Sequence, residues 1–235
     1  MLEMTRTMVA PYTAIEAWAY DTFLAPAVET KLTAQLEGEL KSIPPGASLL
    51  DVGCGGGQLL LAVHALRPDL RLTGLDLAPG QIQRARARTR EASVAADFHE
   101  GSALQLPFGV ESFDAVVSVA SIKHWPDQAL GLREIHRVLR PGGSMLVVEV
   151  DRGCQMEDVR DFTSHFRLPA PLRALAVPLF RTYVAGQSLD LIDARALAQH
   201  SGWSDATVER IAHAPAWRIY GHKHAAPARA AGRRR

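Results

Sequence analysis

Cysteine is nearly absent from this chain. It occurs only as Cys54 and Cys154 in 235 residues, too few for a disulfide framework or a cysteine-based zinc site. No apolar run approaches the ~20 residues needed to cross a bilayer. Met1–Val9 carries Glu3 and Arg6 but no apolar core of the kind a signal peptide has, so a cytoplasmic setting is expected. An excess of one charge is also missing: 26 Lys and Arg against 25 Asp and Glu leave +1, which gives no overall attraction for nucleic acid. The exception is the end of the chain, where Lys223, Arg229, Arg233, Arg234 and Arg235 stand without an acid among them. With Pro227 and many alanines, residues 225–235 read as a disordered, solvated basic tail. Clustered metal ligands are lacking too. His222 and His224 alternate near a terminal strand, where chance exposure explains them, and no third ligand joins Glu149 and Asp151; no metal is expected.

What remains is ordinary for a globular protein: 47% hydrophobic and 22% charged residues. The length suits one domain with a modest addition and can bury a full core. Glycine, by contrast, is concentrated. Leu49-Leu50-Asp51-Val52-Gly53-Cys54-Gly55-Gly56-Gly57 reads as a buried strand running into a loop where backbone approaches a ligand closely. Glycine suits such a loop because it tolerates positive φ and has no Cβ. Gln58–Leu66 follows with a helical pattern, so the loop opens onto a helix N-terminus, whose free N–H groups favour anionic or polar ligand groups. Cys54 inside the loop is read as a small filler. A second strand, Arg71–Asp76, ends in a carboxylate 19 residues after Gly57. In nucleotide-binding βαβ units an acid about 20 residues on accepts from ribose hydroxyls. A dinucleotide site would want G-x-G-x-x-G, but the sixth position is Gln58, which disfavours a NAD-binding oxidoreductase.

Along the chain, residues 11–43 read as helical, with Ile15, Trp18, Phe23, Val28, Leu32, Leu36 and Leu40 at helical spacing. Ile43-Pro44-Pro45-Gly46 breaks that pattern. Strands and helices then alternate to about residue 151, which implies a parallel sheet covered on both faces. Residues 152–188 are broken by Pro169, Pro171 and Pro178 and read as a lid. There Phe162, Phe166, Phe180 and Tyr183 are candidate apolar walls, with Arg160, Arg167, Arg173 and Arg181 as cations. Such a pocket suits an aromatic or polyketide-like acceptor; helices simply packed on the sheet are the alternative. A helix over Leu189–Ala198 and strands over Ala206–Ala212 and Ala216–Gly221 close the fold within 189–224.

The Asp-x-Gly-x-Gly-x-Gly loop resembles the first motif of the class I S-adenosylmethionine-dependent methyltransferases. The resemblance continues through Gly101-Ser102-Ala103 with Leu106-Pro107-Phe108, through Ser112–Ser118, and through Glu134–Gly143 with Ser144–Val150. It covers roughly residues 45–151 in the family's order. It implies an α/β fold: a doubly wound, Rossmann-like seven-stranded sheet with an antiparallel last strand. A helical cap over 1–43 and a lid insertion would close the substrate side of the core over 44–151. The implied cofactor is S-adenosylmethionine, with S-adenosylhomocysteine as product. The resemblance places Asp51, Gly53, Gly55, Gly57, Asp76, Leu77, Ser102, Ala103 and Ser118 at the cofactor. Asp51 would order the loop or reach the cofactor's amino group, Asp76 would take the ribose hydroxyls, and Leu77 would lie on the adenine face. The position after Gly101 is often aspartate in the family; here it is Ser102, a neutral hydroxyl.

His124, after the fourth strand, is the candidate general base, since an unperturbed imidazole titrates near pH ~6.5. Glu149 and Asp151 on the fifth strand are further candidates for taking a proton or orienting a substrate hydroxyl. The reading is a methyltransferase acting on a small-molecule acceptor such as a secondary metabolite, at oxygen, with carbon or nitrogen as alternatives. The expected state is a monomer or homodimer. A quinone-pathway methyltransferase and a catalytically idle cofactor-binding partner protein are the rivals.

Overall fold

A computed structural model of the chain describes residues 36–166 and 168–224. The expected helices over 11–35, Arg167 and the basic tail lie outside those residues. Residues 36–40 are helical, and Leu36 and Leu40 bury their side chains in the core.

The centre of the fold is β1 (Ser48–Val52), buried at every position. A strand hydrophobic on both faces needs cover on both, which parallel sheets receive from their crossover helices. From β1 the chain runs through α1 (Gln58–Leu66), β2 (Arg71–Asp76), α2 (Pro79–Glu91) and β3 (Ala96–Glu100). It then returns through β4 (Phe113–Val119), a short 3₁₀ turn (Ile122–His124), α3 (Gln128–Val138) and β5 (Leu139–Val150). β1 to β5 are parallel. β5 begins at Leu139, ahead of the expected Ser144, because Leu139 pairs with Phe113 before the chain bulges out through Pro141-Gly142-Gly143.

Two small helices, α4 (Met156–Ser164) and α5 (Ala170–Leu179), lead through a π-helical segment (Phe180–Ala185) to α6 (Leu191–His200). β6 (Thr207–Arg210) and β7 (Ala216–His222) form an antiparallel hairpin, and β7 inserts antiparallel beside β5. The seven strands lie in the order β3-β2-β1-β4-β5-β7-β6. One face packs Leu49, Val117 and Val148 against α1 and α2; the other packs Val116, Val147 and Trp217 against α3 and α6. Strand order reverses between β1 and β4, so the ligand crevice of a doubly wound sheet opens at the carboxyl ends of these two strands.

The lid departs from expectation. Phe162, Phe166 and Phe180 are buried and face one another with ring centroids 5.4–6.2 Å apart. They form a small core of α4, α5 and the π segment. Tyr183 is 64% exposed. Among the described residues, no helix is long and apolar enough to cross a membrane.

Candidate functional site

The glycine loop follows β1. Gly53, Gly55 and Gly57 have φ of 78°, 51° and 80°, the left-handed region that only glycine enters freely. The N–H groups of Gly53 and Cys54 both donate to the Leu75 carbonyl, at 2.7 and 3.0 Å, which folds the loop back on β2. The three glycines serve different ends. A Cβ on Gly53 would lie 1.9 Å from Ser121 Oγ, and one on Gly57 3.1 Å from Ala85 Cβ. A Cβ on Gly55 would meet nothing closer than Gln81 Nε2 at 3.9 Å. Gly55 therefore borders open space, where the other two are packed. Cys54 is buried, and burial, with Asp51 and Asp76 adding to it, pushes its thiol far up. It stays protonated and fills the loop.

Two carboxyl groups flank this space. Asp76 ends β2; its Oδ2 accepts from Gly55 N–H and its Oδ1 from Ala78 N–H, both at 2.9 Å. Burial holds its carboxyl above the usual range despite those bonds. Asp51 is 1% exposed, and neither of its oxygens has a hydrogen-bond partner among the described residues. Burial, with Asp76 beside it, raises its pKa from 3.8 to about 8. A buried acceptor without a donor is costly, of order 1–3 kcal/mol, so such a group in a folded chain calls for an explanation. Leu77, next to Asp76 in sequence, is 55% exposed.

Other expected residues are engaged locally. Ser102 Oγ accepts from Leu104 N–H at 3.1 Å and closes its own turn, leaving its hydroxyl proton to donate. Ala103 is half-buried beside it. Ser118 is fully buried, and its hydroxyl donates to the Val52 carbonyl at 2.8 Å. It joins β4 to β1 beneath the loop and has no surface of its own in the crevice.

At the carboxyl end of β4, His124 is half-buried in the 3₁₀ turn, next to the Ser121–Trp125 hydrogen bond of 3.1 Å. Glu149, wholly buried, is held by the protein itself. Lys123 Nζ donates to its Oε1 at 3.2 Å, Val150 N–H to the same oxygen at 2.8 Å, and Lys123 N–H to Oε2 at 3.3 Å. Asp151, also buried, accepts from Gly153 N–H and Arg210 Nε at 2.7 Å each. Both carboxylates thus tie strand ends together. Lys123 escapes sequence reading: it sits beside the more eye-catching His124. Among the described residues, no cluster of three His, Cys, Asp or Glu could hold a metal ion.

Comparison with known proteins meets this geometry. Residues 50–147 match the family model "Methyltransferase domain". An O-methyltransferase of Pyrenophora dematioidea is 34% identical over 157 residues, covering 64% of this chain and 58% of that protein. A demethylmenaquinone methyltransferase of Chlorobaculum parvum is 35% identical over 119 residues, covering 51% of this chain and 45% of that one. The chain therefore spans about half the length of these relatives. A solved S-adenosylmethionine-dependent methyltransferase from Aquifex aeolicus shares the fold with a TM-score of 0.65 at 11% identity, over 87% of this chain and 96% of that one. The glycine loop and the strand-end acid lie inside the matched segment, and the seven-stranded order is that of the Rossmann-like methyltransferase fold: residues 50–147 match a methyltransferase domain.

Proposed function

We propose that the protein transfers a methyl group from S-adenosylmethionine to a hydroxyl of a small-molecule acceptor. The observation that carries this reading is Asp51: a buried carboxyl with no partner, beside an open glycine loop and a second carboxyl. The residues present fit the cofactor. It carries an ammonium and a sulfonium, and among the described residues neither Asp51 nor Asp76 has a hydrogen-bonded cation. Asp51 would take the ammonium, Asp76 the ribose hydroxyls, and Leu77 the adenine face, with the Ser102 hydroxyl proton directed to a ring nitrogen. Ser118, lacking surface, would set the β1–β4 spacing under the loop.

When bound, the cofactor supplies a methyl group already activated on a sulfonium, so the protein's task is to position, dehydrate and accept a proton. The acceptor oxygen forms its bond to the methyl carbon as the carbon–sulfur bond breaks, and the hydroxyl proton passes to a base. We assign that base to His124, which stands at the crevice end of β4. Glu149 and Asp151 are buried and accept from Lys123, Arg210 and backbone N–H groups, so we assign them to holding the ends of β4, β5 and β6 in place.

The test is turnover of a panel of phenols, enols, hydroquinones and amines, read by mass spectrometry, with His124→Ala beside the wild type. Methylated phenol or enol from the wild type, with a large loss in the variant, supports the reading. The demethylmenaquinone relative favours one second reading, a quinone-pathway activity. Product from the hydroquinones alone would select it. No product from any acceptor, by protein that binds S-adenosylhomocysteine, would leave a cofactor-binding partner protein.

A further inference from the structure

β4 leaves the sheet abruptly. Ala120 N–H still donates to the Val148 carbonyl at 2.9 Å, continuing the ladder with β5, but Ala120 has a φ of 54°. That left-handed conformation is unfavourable for a residue with a Cβ, and such strain persists only where the surroundings hold it. The turn that follows is gripped from several sides. Ser121 Oγ accepts from Trp125 Nε1 at 3.1 Å, and the Ile122 carbonyl accepts from Gln128 Nε2 at 3.2 Å. Lys123 is gripped twice by one side chain: Glu149 Oε2 takes its backbone N–H at 3.3 Å, and Oε1 takes its Nζ at 3.2 Å. Side-chain exposures of 8% for Lys123 and 0% for Glu149 put the pair in the interior. Cohesion alone does not account for it, because well-packed apolar side chains of similar volume often stabilise a fold as well as a buried ion pair does. A carboxylate does one thing an apolar side chain does not. It accepts from the backbone N–H of the residue next to His124, while the ammonium matches its charge.

We infer that Glu149 is a positioning residue for the methyl transfer: its Oε2, on the Lys123 N–H, fixes the turn that presents His124 to the acceptor. The inference rests on the assignment of His124 as base above and deepens it. In this role Glu149 touches neither cofactor nor acceptor and takes no proton. It sets where the imidazole stands relative to the hydroxyl, and a general base works only within hydrogen-bond reach of the proton it takes. Displacing such a group by about 1 Å costs about a hundredfold in rate. The strained exit through Ala120 fits the same account, since the turn is held where the crevice needs it and not where the backbone would relax.

The test separates the grip on the backbone from the ion pair. Lys123→Met with Glu149→Gln removes both charges and keeps an acceptor for the N–H of residue 123. Lys123→Met with Glu149→Met removes the charges and the acceptor together. Both are compared with wild type, at a temperature where circular dichroism shows each fully folded, for S-adenosylhomocysteine affinity and for kcat, KM and their pH profiles. The acceptor is the phenol or enol that the panel above selects. The glutamine double variant should keep most of the wild-type kcat. The methionine double variant should lose about a hundredfold in kcat, with KM and S-adenosylhomocysteine affinity little changed, and its kcat should no longer follow the imidazole limb of the wild-type pH profile. If the methionine double variant does not fold, Glu149→Asp, which keeps the charge and shortens the reach, should show the same selective loss. Equal kcat in the two double variants, a wild-type kcat in Glu149→Asp, or a loss that falls equally on S-adenosylhomocysteine affinity overturns the inference. A wild-type pH profile in His124→Ala removes the base, and this inference with it, but leaves methyl transfer standing. Absence of turnover by wild type with every acceptor removes both.

Discussion

Asp51 should lose a proton when the cofactor's ammonium arrives. Its carboxyl, buried and beside Asp76, has a pKa of about 8 in the ligand-free protein. At pH 7 it is therefore about 90% protonated, a ratio near ten to one. An opposite charge within a few ångströms lowers a carboxyl pKa by about 1–3 units. A one-unit drop leaves the group about half ionised and releases about 0.4 proton per ligand bound; a three-unit drop releases about 0.9. The assay is calorimetric titration of S-adenosylhomocysteine at pH 7 in buffers of different ionisation enthalpy, the slope giving the proton count. Release should shrink as the pH is raised above the carboxyl's own pKa, and Asp51→Asn should abolish it. A count near zero at pH 7, or the same count from Asp51→Asn, refutes the reasoning. The same group shapes stability. Its folded pKa lies above the unfolded value of 3.8, so the folded chain keeps a proton that the unfolded chain gives up. Its contribution is full below about pH 4 and is lost as pH rises through about 8. Melting temperature of the ligand-free protein should fall across that window, and less so in Asp51→Asn.

Two further substitutions probe the framework. Gly53→Ala places a Cβ 1.9 Å from Ser121 Oγ at a φ of 78°; beyond the roughly 1–2 kcal/mol of left-handed strain, the overlap should displace the loop, seen as a lowered melting temperature and lost S-adenosylhomocysteine binding. Lys123→Met leaves Glu149, with 0% side-chain exposure, without its cation. A buried charge stripped of its partner costs about 3–5 kcal/mol, so denaturant melts should show a loss of that order, largely recovered in Lys123→Met with Glu149→Gln. Equal stability of the single and double variants would contradict the ion-pair account.

The parts legible in the sequence are those where backbone geometry dictates residue type. Gly53, Gly55 and Gly57 all occupy left-handed conformations, and Asp76 ends its strand at the spacing a βαβ unit sets. The parallel sheet was readable because the successive Leu49 and Leu50 of β1 make it apolar on both faces, as a strand covered on both faces must be. What stayed hidden depends on contacts distant in sequence. Glu149 looked available on its own strand; that Lys123, 26 residues away, occupies it follows only from the pairing of β4 with β5. Phe162, Phe166 and Phe180 have the spacing of an apolar surface, and periodicity does not tell a pocket wall from a lid's own core. Ser118 has the right position after the loop in the fold, but its hydroxyl is taken by Val52.

The central claim is that the loop between Asp51 and Asp76 holds S-adenosylmethionine. Its most direct test is calorimetric binding of S-adenosylhomocysteine to wild type and to Asp76→Ala. The account predicts wild-type binding at the micromolar level, order of magnitude, and a loss of about 1–3 kcal/mol in the variant through its missing charge-assisted hydrogen bonds. Folded wild-type protein that does not bind, or an affinity indifferent to Asp76, would contradict it.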